Sequence, residues 1–248
     1  MTVSTPNLLG DLADDLPDGL SARMLGPCDA DLLTAFRHRV VATLDDPDHY
    51  RMAGEVGDFV ADHLGPRGLT AGIFRGTALV AYGALFLPGP GDLNRGRDLP
   101  LPENELPLVA HISSAMVEPA ARGQGLHHRL IGWRLAAATA LGRRHVLTTV
   151  SPRNHRSWGH LASHGVFPMR LIRVGELVRL LVHRDAQASP IFDTATATLV
   201  PVEELSERWD VFEAGQQVWA RVAMDGRWFA LCGRARQSAR RPAEPALA

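Results

Sequence analysis

The chain has 248 residues, and all 26 of its arginine-plus-lysine residues are arginine, because the sequence contains no lysine. A chain without lysine cannot form a lysine Schiff base, which excludes the usual pyridoxal-phosphate enzymes and aldolases. It also lacks the lysine of a phosphate-binding P-loop or of a kinase. Any phosphate bound here must therefore be held by arginine, by backbone N–H groups or by helix N-termini.

The other totals are ordinary. With 46% hydrophobic residues and a formal net charge of −1, the composition favours a globular protein and gives no reason to expect nucleic acid as a partner. Cys28 and Cys232 are too few for a disulfide framework or a metal knuckle, so we expect no bound metal. Since no signal peptide or membrane-spanning apolar run is visible, we expect a cytoplasmic protein without a membrane partner.

The first quarter of the chain predicts a leader, a strand and two helices. Residues 1–19 are rich in Asp, Gly and Pro and are expected to form a flexible leader, and residues 20–25 form a short strand. Asp29 or Asp31 can cap the first helix. Apolar residues at helical spacing mark the two helices: Leu32, Leu33, Phe36, Val40, Val41 and Leu44, then Met52, Val56, Phe59, Val60 and Leu64.

The middle of the chain changes to the period of β-structure. A tight turn at Arg75-Gly76-Thr77 joins two predicted strands, and a Pro/Gly-rich loop covers residues 88–105. In that loop Arg95 and Arg97 can read a substrate carboxylate or can simply be solvated. The elements predicted here are strands at 69–74, 78–87, 108–117, 145–150, 169–174 and 177–183 and helices at 126–141 and 154–164.

The composition loosens from Asp185 onward, which suggests a boundary. We therefore expect a main domain at 20–184, a C-terminal extension at 185–239 and a disordered tail at 240–248. The extension is expected to hold a strand at 194–200, a helix at 202–212 and a β-hairpin turning at Asp225-Gly226. Its open edge allows two interpretations, completion of a substrate pocket or pairing with a second copy in a homodimer.

A glycine turn links the strand at 108–117 to the helix at 126–141. Gly123 and Gly125 allow a bulky anion close to the backbone, and the helix N-terminus supplies free N–H groups and a partial positive charge. An ordinary turn that starts a helix explains the pattern equally well. A dinucleotide fingerprint does not, since its third glycine would fall on His128.

Two blocks of sequence carry a resemblance to a known family. Arg122-Gly123-Gln124-Gly125-Leu126-His127 resembles the acetyl-CoA loop of the GNAT superfamily of N-acetyltransferases, Gln/Arg-x-x-Gly-x-Gly/Ala, except that His127 replaces the last small residue. Asn154-His155-Arg156-Ser157, followed by Gly165-Val166-Phe167, resembles the family's Asn-x-x-Ala/Ser helix and its closing Gly-Phe. The resemblance extends over residues 20–183.

The resemblance implies an α/β (α+β) GNAT fold, in which helices flank a mixed, mostly antiparallel sheet. It implies that acetyl-CoA or another acyl-CoA lies in a V-shaped gap between the central strands. An amine, on a small molecule or amino acid, then attacks the thioester directly. The residues implied to bind the cofactor are Ala115, Met116, Val117, Arg122, Gly123, Gln124, Gly125, Leu126, His127, His128, Asn154 and Ser157.

His111 is the candidate catalytic base. Strand alternation predicts that it shares a face with Ser113, Ala115 and Val117. It lies eleven residues before Arg122, where some family members carry a catalytic glutamate. A histidine with an ordinary pKa of about 6.5 suits a base at neutral pH. An inert, hydrogen-bonded core histidine is an equal alternative.

Two residues usual in the family are missing. Leu161 stands where a tyrosine often protonates the departing thiolate, and Thr149 stands where a glutamate base is common. His160 or His164 can replace the tyrosine, although both fit a helix surface as well. These losses motivate a second interpretation, a non-catalytic acyl-CoA-binding or regulatory module.

Overall fold

The computed structural model describes residues 8–50, 59–188 and 190–237. A seven-stranded sheet forms its centre, with strands β1 Leu20–Leu25, β2 Gly68–Arg75, β3 Ala78–Phe86, β4 Val109–Val117, β5 His145–Val150, β6 Phe167–Val174 and β7 Leu177–Asp185. The spatial order is β1-β2-β3-β4-β5-β7-β6, and every neighbouring pair is antiparallel except β4 with β5. The predicted mixed, mostly antiparallel sheet is therefore confirmed.

Helices cover both faces of this sheet. They are α1 Gly10–Asp14, α2 Ala30–Val41, α3 Phe59–Leu64, α4 Leu126–Ala140, α5 His155–Ser163 and α6 Trp209–Glu213. On one face α2 and α3 cover a core that includes Phe36 and Tyr82, both fully buried. On the other face α4 and α5 cover a larger core that includes Leu130 and Trp158. Of the predicted second helix the structure describes α3, while Met52 and Val56 lie outside the described residues.

The strands β4 and β5 separate after a short contact. Their parallel pairing joins only Val109–His111 to His145–Leu147, although β4 runs on to Val117 and β5 to Val150. Because β5 pairs with β7 along its whole length, its departure from β4 leaves a wedge-shaped gap in the middle of the sheet. This gap is the V-shaped opening that the sequence resemblance implies.

A β-bulge interrupts β4 at the start of the gap. Leu85 of β3 pairs with Ile112 and Ala84 pairs with Ser114, so Ser113 is an extra residue. An extra residue inverts the alternation of faces, and the expectation that His111 and Val117 share a face is therefore wrong. His111 lies beside Phe86 on the α3 side, whereas Val117 packs into the core under α4.

Residues 8–19 include the short helix α1 in the stretch where a flexible leader was expected. Leu12, only 2% exposed, packs α1 into the core under α4, and the indole N–H of Trp133 donates to the carbonyl of Leu8. The spacing of Leu8, Leu12 and Leu16 is helical, and this was the available signal in the sequence.

The C-terminal residues form a second sheet with strands β8 Pro190–Phe192, β9 Thr198–Pro201, β10 Gln216–Met224 and β11 Arg227–Gln237. The hairpin predicted at Asp225-Gly226 joins β10 to β11, with positive φ at both turn residues. The predicted helix at 202–212 is reduced to a single 3-10 turn, Val202–Glu204, followed by α6. Since Val200 and Val218 belong to the same core as Leu130, the extension shares its core with the central sheet.

Candidate functional site

A cleft follows the gap between β4 and β5. Its walls come from the first turn of α4, the N-terminal turn of α5, residues His49 and Tyr50, and the loop after β3. Of the residues implied to bind the cofactor, all but Gln124 line this cleft, and His111 lines it as well. In the part of the chain that the structure describes, no helix is long and apolar enough to cross a membrane.

The mouth of the cleft is formed by the glycine turn. Gly123 and Gly125 have φ values of +82° and +72°, a conformation that favours glycine. The first hydrogen bond of α4 runs from the N–H of Arg129 to the carbonyl of Gly125, so the amides of the three residues between them have no acceptor inside the helix. These amides and the helix dipole create a site for an anion.

Four histidines join α4 to α5 beside this turn. Nδ1 of His127 lies 2.9 Å from Nδ1 of His160, and Nδ1 of His128 lies 3.2 Å from Nε2 of His164. Burial, followed by repulsion from nearby cationic groups, lowers the pKa of His127 and lowers that of His160 to about 4. The rings of His127 and His160 are therefore neutral at pH 7, and the two histidine contacts join α4 to α5 along the cleft wall. The sequence did not indicate these contacts.

Asn154 stabilises the start of α5. Its Oδ1 accepts a hydrogen bond from the N–H of Ser157 at 3.0 Å, the geometry of a helix N-cap. Its Nδ2 lies 3.5 Å from the carbonyl of His49, at the outer limit for a hydrogen bond. Asn154 therefore caps α5 on the cleft wall, and this capping role does not depend on a ligand.

The segment before His49 is fastened across the ends of β5 and β7. Asp48 accepts hydrogen bonds from Ser151 Oγ at 2.6 Å and from Arg179 Nη1 at 3.0 Å. The Asp48 and Arg179 side chains are only 19% and 11% exposed. This ion pair holds the residue that follows His49, Tyr50, at the edge of the gap.

His111 is a poor base in this structure. A backbone N–H can only donate, so the 3.2 Å contact from Arg95 N makes His111 Nε2 the acceptor and leaves the ring proton on Nδ1. Burial, and then the nearby charges of Arg95 and His63, lower the pKa of His111 to about 4. Its geometry is that of the hydrogen-bonded alternative, with one N–H to donate and no free lone pair.

The loop arginines already have partners. Arg95 pairs with Asp98 at 3.1 Å and Arg97 pairs with Glu103 at 2.5 Å. Only Arg95 lines the cleft. Reading a substrate carboxylate would therefore require an ion pair to break first.

Tyr50 is the polar residue that the sequence did not point to. Its oxygen accepts hydrogen bonds from Arg37 Nη2 at 3.0 Å and from Ser114 Oγ at 3.1 Å, and Ser114 Oγ lies 2.8 Å from the hydroxyl of Tyr82. Burial raises the pKa of Tyr82, so its hydroxyl stays protonated and donates to Ser114. The hydrogen bonds therefore run from Tyr82 through Ser114 to Tyr50, at the wall of the cleft.

Comparison with known proteins yields structural likenesses only, because no family model and no curated protein matches the chain. The chain is similar to the GNAT domain of S. lividans PAT, at 18% identity over 67% of this chain and 90% of that one, with a TM-score of 0.49. It is also similar to yncA, a putative acetyltransferase from Salmonella typhimurium with acetyl-CoA, at 14% identity over 68% and 95% of the chains and a TM-score of 0.49. A third similar structure is Arabidopsis thaliana NAA60 in complex with acetyl-CoA, at 11% identity over 67% of this chain and 98% of that one, with a TM-score of 0.49.

The strand order, the parallel β4–β5 contact that opens into a gap, and the glycine turn that opens α4 define a GNAT fold with an added C-terminal sheet.

Proposed function

We propose that this chain is an acyl-CoA-dependent N-acyltransferase of the GNAT type. It transfers an acetyl or other short acyl group to a primary amine of a small molecule or amino acid. The observation that carries the proposal is the open edge of β4 in the gap. Among the described residues, backbone groups along this edge have no strand partner on the β5 side beyond His111. An extended ligand with its own amides, such as the pantetheine arm, can pair there as an added strand.

The two ends of the gap give the ligand a direction. At the wide end, beside Val117, the amides of Gly123 to His128 are available to the pyrophosphate. Ala115, Met116 and Val117 pair with the pantetheine arm, and Asn154 and Ser157 flank it from α5. The thioester then lies toward the narrow end, where β4 and β5 come together at His111.

The acceptor enters from the α3 side of the gap. That arm of the cleft is lined by the rings of Phe59, His63 and Phe86 and by Asp62. Aromatic faces and a carboxylate suit a compact amine with an apolar flank. This composition supports a small-molecule or amino-acid acceptor.

Tyr50 takes the place of the missing proton donor. The amine forms a bond to the thioester carbon, the carbon–sulfur bond breaks, and the thiolate takes the proton of the Tyr50 hydroxyl. Arg37 and Ser114 stabilise the phenolate until it recovers a proton from the attacking nitrogen. Tyr50 thus supplies the proton that the leucine at position 161 cannot supply.

The test measures binding and turnover separately. Calorimetry with acetyl-CoA and with CoA reports binding, and a free-thiol assay with acetyl-CoA and a panel of primary amines reports turnover. We expect binding of both nucleotides and thiol release with at least one amine. Failure of the protein to bind either nucleotide would overturn the proposal.

A second function is favoured by the state of His111. Since its lone pair accepts from Arg95 and its pKa is lowered to about 4, the chain lacks the base that the sequence offered. A non-catalytic acyl-CoA-binding module agrees with this. It predicts binding of acetyl-CoA without thiol release from any amine in the panel.

A further inference from the structure

A buried arginine lies under the gap on the α4 side. Arg134 is 1% exposed and belongs to the lining of the cleft. Its Nε donates to the carbonyl of Leu130 at 2.9 Å, and its Nη1 donates to the carbonyl of Ser114 at 3.2 Å. A Cβ added at Gly83 would lie 3.3 Å from Nε, so the small residue at 83 makes room for the side chain. The guanidinium is therefore fixed in place by α4, β3 and β4.

The remaining nitrogen of this guanidinium is unused. Nη2 is shielded from solvent, and among the described residues it has no hydrogen-bond partner and no carboxylate forms an ion pair with Arg134. Burial lowers the pKa of Arg134 to about 9, so the group remains charged at neutral pH. An uncompensated buried charge destabilises the folded chain. A residue with only a structural task would not need such a charge.

The position of Arg134 matches the narrow end of the gap. It contacts Ser114, three residues beyond His111, the last residue of β4 that pairs with β5. Eight residues separate it from Leu126, at the glycine turn. At 1.5 Å per residue this is roughly 12 Å along α4, a distance that an extended pantetheine arm spans. The proposed thioester end of the ligand and the unused nitrogen thus lie at the same level of the cleft.

We propose that the buried charge of Arg134 stabilises the negative charge that develops on the thioester oxygen during acyl transfer. This inference rests on the proposed function. The amine lone pair forms the carbon–nitrogen bond, and the carbonyl electron pair moves onto oxygen, where the positive charge of Arg134 stabilises it. The pair then returns, the carbon–sulfur bond breaks, and one proton passes from nitrogen to sulfur. The attraction between a fixed cation and the oxygen grows as negative charge develops there, so the cation raises kcat more than affinity.

The experiment compares variants of one helix. Arg134→Met removes charge and donor while keeping a long apolar side chain, and Arg134→Lys keeps an amine but loses the fork and, at neutral pH, part of the charge. Arg129→Met, on the same helix but outside the cleft, is the matched control. For each protein, kcat, KM and the dissociation constants of CoA and acetyl-CoA are measured. We expect Arg134→Met to lose about 100-fold to 1,000-fold in kcat, with both dissociation constants within a few-fold of the parent. Arg129→Met should keep the parent kcat.

Two further experiments, chemical rescue and the variant Gly83→Ala, distinguish a role of Arg134 in the reaction from a purely structural one. Guanidinium chloride at a non-denaturing concentration should restore part of the rate of Arg134→Ala and leave Arg129→Met unchanged. If the Arg134 variants do not fold, Gly83→Ala displaces the guanidinium without removing it and should lower kcat with CoA affinity retained. An unchanged kcat in Arg134→Met or Gly83→Ala overturns the inference, as does a parallel loss of CoA and acetyl-CoA affinity without rescue. A parent protein that binds acetyl-CoA but never releases thiol overturns the proposed function instead.

Discussion

Replacing Gly125 by alanine tests whether the glycine turn binds acyl-CoA. Gly125 has φ +72°, and a Cβ added there meets no atom within 4 Å. The substitution therefore costs only the left-handed backbone conformation, about 1 kcal/mol, which lowers the melting temperature by about 2–4 °C in a chain of this size. Gly76, in the turn between β2 and β3, has φ +59° and is equally free of neighbours. Gly76→Ala is thus a matched control with the same cost in stability.

The two variants should differ in binding. A change of φ at Gly125 turns the amides at the start of α4 away from the anion. Each charge-assisted hydrogen bond lost costs about 1.5–3 kcal/mol, so acetyl-CoA should bind about 10-fold to 100-fold more weakly to Gly125→Ala. Gly76→Ala should bind like the parent.

Differential scanning fluorimetry gives the melting temperatures, and calorimetry gives the dissociation constants. Similar losses of stability with unchanged affinity in both variants would refute the anion site at Gly125. Equal losses of affinity in both would show that binding follows global stability rather than the turn.

The remaining predictions concern the cleft wall and the buried histidines. Tyr50→Phe should lower kcat about 100-fold in the thiol-release assay with the acetyl-CoA dissociation constant preserved, and an unchanged kcat removes Tyr50 from proton transfer. Asp48→Ala leaves its arginine partner, Arg179, buried without a carboxylate, so we expect a loss of about 2–3 kcal/mol in urea unfolding. Glu103→Ala, at a pair 61% and 77% exposed, should lose less than about 0.5 kcal/mol, and equal losses contradict the reasoning. The pKa values of His111 and His183 are lowered from 6.5 to about 4 in the folded chain. Between these values the unfolded chain binds more protons than the folded chain, so the free energy of unfolding decreases as the pH falls from 6.5 toward 4. The melting temperature should therefore fall between pH 7 and 5, less so in His111→Gln, and a flat profile would contradict this.

The strands of the central sheet were predictable because each has a regular apolar pattern bounded by glycine or proline. The predicted strand at 145–150 coincides with β5, and that at 20–25 coincides with β1. The glycine turn and α4 also follow from local signals, since Gly125 and the apolar face after it lie within a few residues of each other. Local pattern therefore carries both the order of elements and the mouth of the cleft.

The face of β4 was not predictable in the same way. A bulge is a property of two strands, and the extra residue at Ser113 becomes visible only when Ala84 and Leu85 are paired with it. The shift moved His111 away from the side of Val117 and brought Ser114 to the side of Tyr50. A single residue of register thus decided which side chains meet at the gap.

Contacts between distant segments account for the rest. Tyr50 and Ser114 are 64 residues apart, and no local signal connects them. The burial of Leu12 has a related cause, because α1 packs against β1 and α4, which both follow it in the chain. Such contacts depend on how the helices fold back onto the sheet.

The absence of lysine agrees with the position of the cationic side chains around the gap, which are buried and donate to specific oxygens. Arg37, Arg134 and Arg179 are 2%, 1% and 9% exposed, and each donates to a specific oxygen at the cleft wall or beside it. Burial that lowers the pKa of Arg134 to about 9 leaves it charged at pH 7. The same burial acting on a lysine, with an ordinary pKa of about 10.4, would bring it to about 7 and leave half the molecules neutral. A guanidinium also donates in several fixed directions, so Arg134 is held in one orientation through two of its nitrogens. Arginine is therefore the one side chain that keeps a permanent, oriented charge at this depth, and a lysine at position 134 would hold its charge only part of the time.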